Sequence, residues 1–127
     1  MLGQYDMGPS LAVSDMETAT GFYGGKLGLR VIKEDEQRQE WTYRSGNTTL
    51  QVYVSDYAGT NQATAAFWVV DDVEDEVAEL QGKGIEFEHY PDLPGVQMQG
   101  DIHVSGDEKA AWFKDPDGNI LCIHNDV

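Results

Sequence analysis

The sequence has one cysteine, Cys122, and no histidine before His89. A lone thiol excludes any internal disulfide framework, and its lack of a partner suits a reducing compartment. Basic residues are scarce as well: 8 Lys and Arg stand against 23 Asp and Glu, a formal charge of −15. Such a chain is repelled by phosphate backbones and anionic lipid, so neither nucleic acid nor a membrane surface is an expected partner. No apolar run approaches the length that spans a bilayer, and the first fifteen residues lack a basic head followed by an apolar core. A cytoplasmic protein is the expectation. There is no G-x-G-x-x-G or Walker-type loop, no G-x-S-x-G elbow and no paired-cysteine zinc spacing.

What is present reads as alternating short elements. Residues 10–14, Ser-Leu-Ala-Val-Ser, alternate as a half-buried strand does. Asp15 then caps a helix whose Met16, Ala19, Phe22, Tyr23 and Leu27 recur at three- and four-residue spacing, and Gly24, Gly25 and Gly28 end it. Extended patterns follow at Leu29–Lys33, Glu40–Arg44 and Thr49–Val54, the last two joined by a Ser45-Gly46-Asn47 turn. After the aperiodic stretch 55–62 the cycle restarts. Thr64–Val70 is a strand, Asp71 or Asp72 caps a helix with Val73, Val77 and Leu80 on one face, and Gly82 and Gly84 stop it. Ile85–Glu88 is the next strand. Residues 89–100, with Pro91, Pro94 and Gly95, are expected to shed pairing before Asp101–Val104 and a closing hairpin.

That hairpin is the most informative stretch. Ala110–Lys114 and Ile120–His124 flank Asp115-Pro116-Asp117-Gly118, which combines a turn initiator, a fixed φ and a glycine free to take positive φ. Two repeats accompany it: Gly25-Lys26-Leu27-Gly28-Leu29 matches Gly82-Lys83-Gly84-Ile85, and Gly46-Asn47 matches Gly118-Asn119. With Asp15-Met16, Phe22-Tyr23 and Leu27-Gly28-Leu29, these motifs resemble the glyoxalase/bleomycin-resistance/extradiol-dioxygenase group, the vicinal oxygen chelate superfamily, across nearly the whole chain. The resemblance implies an α+β fold of two tandem β-α-β-β-β modules forming a curved mixed sheet around a concave cleft, with the helices outside. Residues 1–127 are then one domain, module one about 1–58 and module two about 59–127. A homodimer is a further expectation.

Enzymes of this superfamily hold a divalent metal with His and Glu side chains from the first and last strand of each module. Transferred residue by residue, those positions fall on Gly8, Gln51, Ala65 and Cys122. None suits a hard site for oxygen donors, because a lone soft thiol is the only usual ligand among them. No metal and no cofactor are therefore expected. His89, His103 and His124 offer a non-standard route to a metal, which keeps a lyase, isomerase or dioxygenase as the second reading. Cys122 as a nucleophile lacks a base in reach, since His124 two residues on along a strand stands roughly 7 Å away.

A cleft without metal binds through shape, rings and a few polar groups. Alternation puts Gln51 with Tyr53, Phe67 with Ala65 and Val69, and Ile120 with Cys122 and His124, while Leu11, Val13, Leu50, Val52, Leu121 and Ile123 turn to the core. The expected ligand contacts are Trp41, Tyr43, Gln51, Tyr53, Phe67, His103, Trp112, Cys122 and His124, with no catalytic residue. The leading expectation is a metal-independent small-molecule binder that sequesters a cationic or aromatic compound. A non-catalytic interaction module is the third reading.

Overall fold

The computed structural model describes residues 1–126, and the chain forms two compact units, one over Met1–Thr60 and one from Asn61 on. In the first unit, β1 (Ser10–Val13) leads into α1 (Met16–Thr20), then β2 (Arg30–Asp35), β3 (Glu40–Ser45) and β4 (Thr48–Val54). These strands form one open sheet in the order β1-β4-β3-β2, with β1 parallel to β4 and the other pairs antiparallel. Asp15 is the helix N-cap: its Oδ2 accepts the Thr18 backbone N–H at 2.9 Å, which satisfies one of the donors a helix start leaves open. Only five residues are α-helical. Gly21–Lys26 continues as a wider π-type turn, closed by Leu27 N–H donating to the Phe22 carbonyl at 2.9 Å. That widening departs from the uniform helix expected, and it leaves the adjacent rings of Phe22 and Tyr23 both buried, edge to face at 5.0 Å.

The second unit repeats the plan with more strands. β5 (Thr64–Val69) leads into α2 (Val73–Gly82), then β6 (Phe87–Glu88), β7 (Gln97–Gln99), β8 (Ile102–Ser105), β9 (Glu108–Lys114) and β10 (Ile120–His124). The order is β5-β10-β9-β8-β7, with β6 also pairing β9, and β5 runs parallel to β10. Asp72, not Asp71, caps α2 by accepting the Asp75 N–H at 3.0 Å. Gly84, at φ +85°, reverses the chain so that Ile85 N–H returns to the Leu80 carbonyl. Two expectations are corrected here. The strand expected at Ile85–Glu88 shortens to Phe87–Glu88, and the stretch 89–100 does pair, because Gly100 at φ +62° turns Gln97–Gln99 back onto β8.

Both cores follow from strand parity. Leu11, Val13, Leu50 and Val52 are buried in the first unit, where α1 packs on β4. In the second, Ala111, Phe113, Leu121 and Ile123 are buried together with Val73, Val77 and Leu80 of α2, which packs on β9. Burying such apolar side chains contributes about 1.5–3 kcal/mol each for the larger ones. The assembly is α+β with mixed sheets. No helix among the described residues is long and apolar enough to cross a membrane.

Candidate functional site

The hairpin that joins β9 to β10 is anchored by Asp115, a buried carboxylate. Its Oδ1 accepts the backbone N–H of Asp117 at 3.0 Å and of Asn119 at 2.8 Å, and its Oδ2 accepts from the Asn119 side-chain amide at 2.8 Å. Gly118, at φ +94°, supplies the backbone shape the turn needs. The turn sets the register in which Cys122 lies opposite Trp112 and His124 opposite Ala110. Ala110 is in turn opposite His103 on β8, and Cys122 and His124 are beside Phe67 and Val69 on β5. One face of the second sheet, the one turned away from α2, therefore carries Phe67, His103, Trp112, Cys122 and His124.

On that face lies an open cavity of about 280 Å³, lined among others by Val96, His103, Trp112, Cys122 and His124. It lies near the lower end of the roughly 300–1,000 Å³ typical of small-molecule sites. Trp112 forms a wall. Its indole N–H donates to Thr64 Oγ1 at 3.1 Å, and its ring meets His103 edge to face at 4.7 Å and Tyr90 at 5.5 Å. His124 stacks on Phe67 with ring centroids 4.9 Å apart. At 59 % exposure Phe67 keeps most of its ring open to solvent.

Both imidazoles are held in defined tautomers. His103, 2 % exposed, accepts the Tyr90 backbone N–H on Nε2 at 2.8 Å. A nitrogen that accepts is unprotonated, so the proton of the neutral ring is on Nδ1. That Nδ1 is buried beside the Ala110 backbone. Burial holds the His103 pKa below the usual histidine value, hydrogen bonding to the Ala110 backbone opposes this, and His89 adds to the lowering. His124 accepts the Asp126 backbone N–H on Nδ1 at 3.2 Å, which leaves Nε2 as its N–H donor. Cys122, opposite Trp112, is on the same face. Burial pushes its thiol up to about 12, and its S–H points to the Ile123 carbonyl at 3.6 Å. A thiol held in that form is a weak nucleophile near neutral pH.

The charge around the cavity is uneven. Glu108, Lys109 and Asp126 also line it, but the Lys109 ammonium is paired with Glu74 of α2, which raises the lysine pKa and lowers that of the glutamate. The carboxylates of Glu108 and Asp126 leave a net negative rim.

The expected ligand contacts separate into two groups. His103, Trp112 and Cys122 line the cavity with His124, and Phe67 stacks on His124. Trp41, Tyr43, Gln51 and Tyr53 belong to the first unit. Tyr43 is corrected from ligand contact to core: it is 1 % exposed, lies opposite Leu50, and its ring is 6.2 Å from that of Tyr23. Trp41 shares its parity and pairs with buried Val52. The two-residue turn at Gly46-Asn47 encodes this, because it fixes Ser45 opposite Thr48 and so sends Tyr43 to the side of Leu50. Gln51 accepts from the Ser10 hydroxyl at 3.1 Å, and Tyr53 is partly exposed opposite Glu40. Sequence reasoning missed Tyr90, whose backbone holds His103 and whose ring closes on Trp112; its aperiodic surroundings carry no signal for either contact.

The four positions that correspond to metal ligands do not fit a divalent ion. Gly8 and Ala65 have no side-chain donor, Gln51 offers only a neutral amide oxygen, which already accepts from Ser10, and Cys122 offers a buried soft thiol that does not suit a hard site for oxygen donors. Among the described residues no three His, Cys, Asp or Glu side chains gather as ligands elsewhere.

Residues 6–123 match the family profile described as Glyoxalase/Bleomycin resistance protein/Dioxygenase superfamily. No curated protein gives a match. Among solved structures, a glyoxalase family protein from Enterococcus faecalis is similar at 21 % identity and a TM-score of 0.74, over 98 % of this chain and 99 % of that one. A lactoylglutathione lyase from Agrobacterium tumefaciens is similar at 18 % identity and a TM-score of 0.69, over 94 % of this chain and 92 % of the other. A fosfomycin resistance protein from Mesorhizobium loti is similar at 16 % identity and a TM-score of 0.68, over 98 % and 93 %. At these identities the likeness is one of fold.

Proposed function

Because this chain belongs to the glyoxalase/bleomycin resistance protein/dioxygenase superfamily, while Gly8, Gln51, Ala65 and Cys122 stand where its metal enzymes place His and Glu, we propose that it is a metal-independent small-molecule binder. The observation that carries this reading is the cavity of about 280 Å³ on the open face of the second sheet, walled by Trp112. Its ligand is an aromatic compound that bears a positive charge. The indole offers a flat surface whose plane is fixed by Thr64, and cation–π attraction there contributes about 0.5–2 kcal/mol. Glu108 and Asp126 favour the charge at the rim, and the −15 of the whole chain steers a cation toward it. Binding sequesters the compound and leaves it chemically unchanged: burial keeps the Cys122 thiol protonated, and the accepting nitrogen of each cavity imidazole is engaged by a backbone N–H. A homodimer in the cytoplasm belongs to the same proposal, and sedimentation and cell fractionation read it out.

The test is titration of the metal-stripped protein with proflavine, a planar aromatic cation, followed by tryptophan fluorescence. Saturable quenching is expected, weaker at high salt, and reduced about tenfold in affinity by Trp112→Ala. Absence of quenching across a panel of aromatic cations sinks the reading. So does stoichiometric metal in protein taken from its host, accompanied by turnover.

A further inference from the structure

Residues 89–96 join β6 to β7, and two of them, Pro94 and Val96, line the cavity together with Trp112, Cys122 and His124. The segment is tied at its entry by His89, whose Nε2 meets Asp101 Oδ1 at 2.5 Å, and at its exit by the pairing of Gln97–Gln99 with β8. Between these ends Tyr90 fastens it to the cavity wall twice. Its backbone N–H donates to His103 Nε2 at 2.8 Å, and its ring meets that of Trp112 edge to face at 5.5 Å. The turns that carry Pro94 and Val96 are built on the same residue: Leu93 N–H donates to the Tyr90 carbonyl at 3.2 Å, and Val96 N–H to the Leu93 carbonyl at 3.3 Å. Resting on the binding role proposed above, we infer that Tyr90–Val96 is a strap that closes the cavity while His103 is neutral and lets go when that ring becomes an imidazolium, so that the bound compound is released in mild acid.

The latch is one lone pair. A protonated Nε2 has nothing left to accept with, and its N–H then points at the Tyr90 N–H, so one of the two must move. A charged ring that is 2 % exposed gains water only if its surroundings open. The groups around it set the direction. The strap side supplies His89, which opposes a charge on His103, and the Tyr90 phenol, while β7 places uncharged Met98 opposite it. Next to it on β9 are Glu108 and Lys109, the lysine paired with Glu74, and from β10 onward come Cys122, His124 and Asp126. Glu88 of β6 is paired with Lys114, and Asp101 with His89. Burial prevails in the closed form and keeps His103 neutral, whereas in the opened cavity Glu108 and Asp126 favour the imidazolium. Acid also charges His89 against the Asp101 carboxylate, so the entry stays tied and the strap swings from that end. Losing Tyr90 from the wall takes Pro94 and Val96 off the cavity and frees one side of Trp112 together. An affinity that needs the closed strap falls with the fraction closed.

The experiment reads the strap in two ways between pH 7.5 and pH 5: proflavine affinity, and amide hydrogen exchange of the ligand-free protein, corrected for the intrinsic pH dependence of exchange. Affinity is expected to be about tenfold weaker at pH 5, which corresponds to a strap closed in about one molecule in ten. Over the same range the Tyr90 amide should lose its protection while the amides of β9 and β10 keep theirs. His103→Gln retains a side-chain oxygen that can accept from Tyr90 but does not titrate, so it should flatten both profiles. His124→Phe removes the other cavity imidazole and should preserve the ratio of affinities at the two pH values. If His103→Gln does not fold, the wild-type exchange profile and His124→Phe decide the matter. A Tyr90 amide that stays protected at pH 5, or that is lost together with those of β9 and β10, overturns the inference, as does a profile that His103→Gln leaves unchanged. Proflavine that binds at neither pH sinks the binding role instead, and exchange in the ligand-free protein still decides whether the strap lets go.

Discussion

The backbone N–H of Tyr90 donates to Nε2 of His103 over 2.8 Å, and that one bond fixes which nitrogen of a buried imidazole carries the proton. An imidazolium has no lone pair to accept with, so protonation breaks the bond and charges a ring that is 2 % exposed. The structure and the electrostatics agree: burial keeps His103 neutral.

Folding stability should therefore fall in mild acid. The folded-state pKa of His103 is below the histidine value of 6.5, so the unfolded chain binds the proton more readily. Stability is fully present above 6.5 and is lost as pH falls below it. Urea midpoints measured from pH 7.5 down to 5 should decline, and His103→Phe should flatten that decline. An unchanged slope in the variant would place the effect on other groups.

Cys122 makes the opposite prediction at the alkaline end. Its pKa rises from 9.0 to about 12 on folding, so its contribution is complete below 9 and is lost as pH climbs from 9 towards 12. At pH 8 the thiol should react with iodoacetamide at least tenfold more slowly in native protein than in urea-unfolded protein. Equal rates would show a thiolate where a thiol is expected.

Asp115 should be costly to remove. It accepts from three donors within the β9–β10 turn, and Asp115→Ala removes those three bonds. A loss of about 2–4 kcal/mol is expected by chemical denaturation, since a hydrogen bond to a charged group contributes about 1.5–3 kcal/mol and the three do not add in full. The register of β10 depends on this turn, so proflavine binding should weaken as well. A loss below about 0.5 kcal/mol would mean the turn is set by Pro116 and Gly118 alone.

Tyr43 and Trp112 should separate stability from binding. Tyr43→Ala removes a ring that packs against Tyr23 in the core and should cost about 3–5 kcal/mol, whereas Tyr43→Phe loses only a 3.5 Å contact to the Thr20 hydroxyl and should cost less than about 1 kcal/mol. Proflavine affinity should be the same in Tyr43→Phe as in the wild type. Trp112→Ala should show the converse, with a large loss of affinity. A drop in affinity in Tyr43→Phe would return that tyrosine to the ligand contacts.

Much of the fold was legible because its signals are local. Asp15 and Asp72 announce helix starts, since a carboxylate three residues before an open N–H reaches it without help from the rest of the chain. The turn at Asp115–Gly118 and the alternation through Leu121, Cys122, Ile123 and His124 are equally short-range. The site was less legible. Trp41 and Tyr43 look like ligand rings by composition, yet pairing across β3 and β4 sends them to the side of Val52 and Leu50. The strand β7 was hidden because three residues hold too little pattern to stand out, and it exists through pairing with β8.

By itself the sequence determined the two cycles of strand and helix, the caps and turns that bound them and the core parity of each long strand, all of which depend on residue type and spacing of a few positions. Only the tertiary structure decided which donors and rings share the cavity. Tyr90 and His103 are thirteen residues apart, and Thr64 and Trp112 forty-eight. Their meeting depends on which strands pair and in what register, and no local preference specifies that.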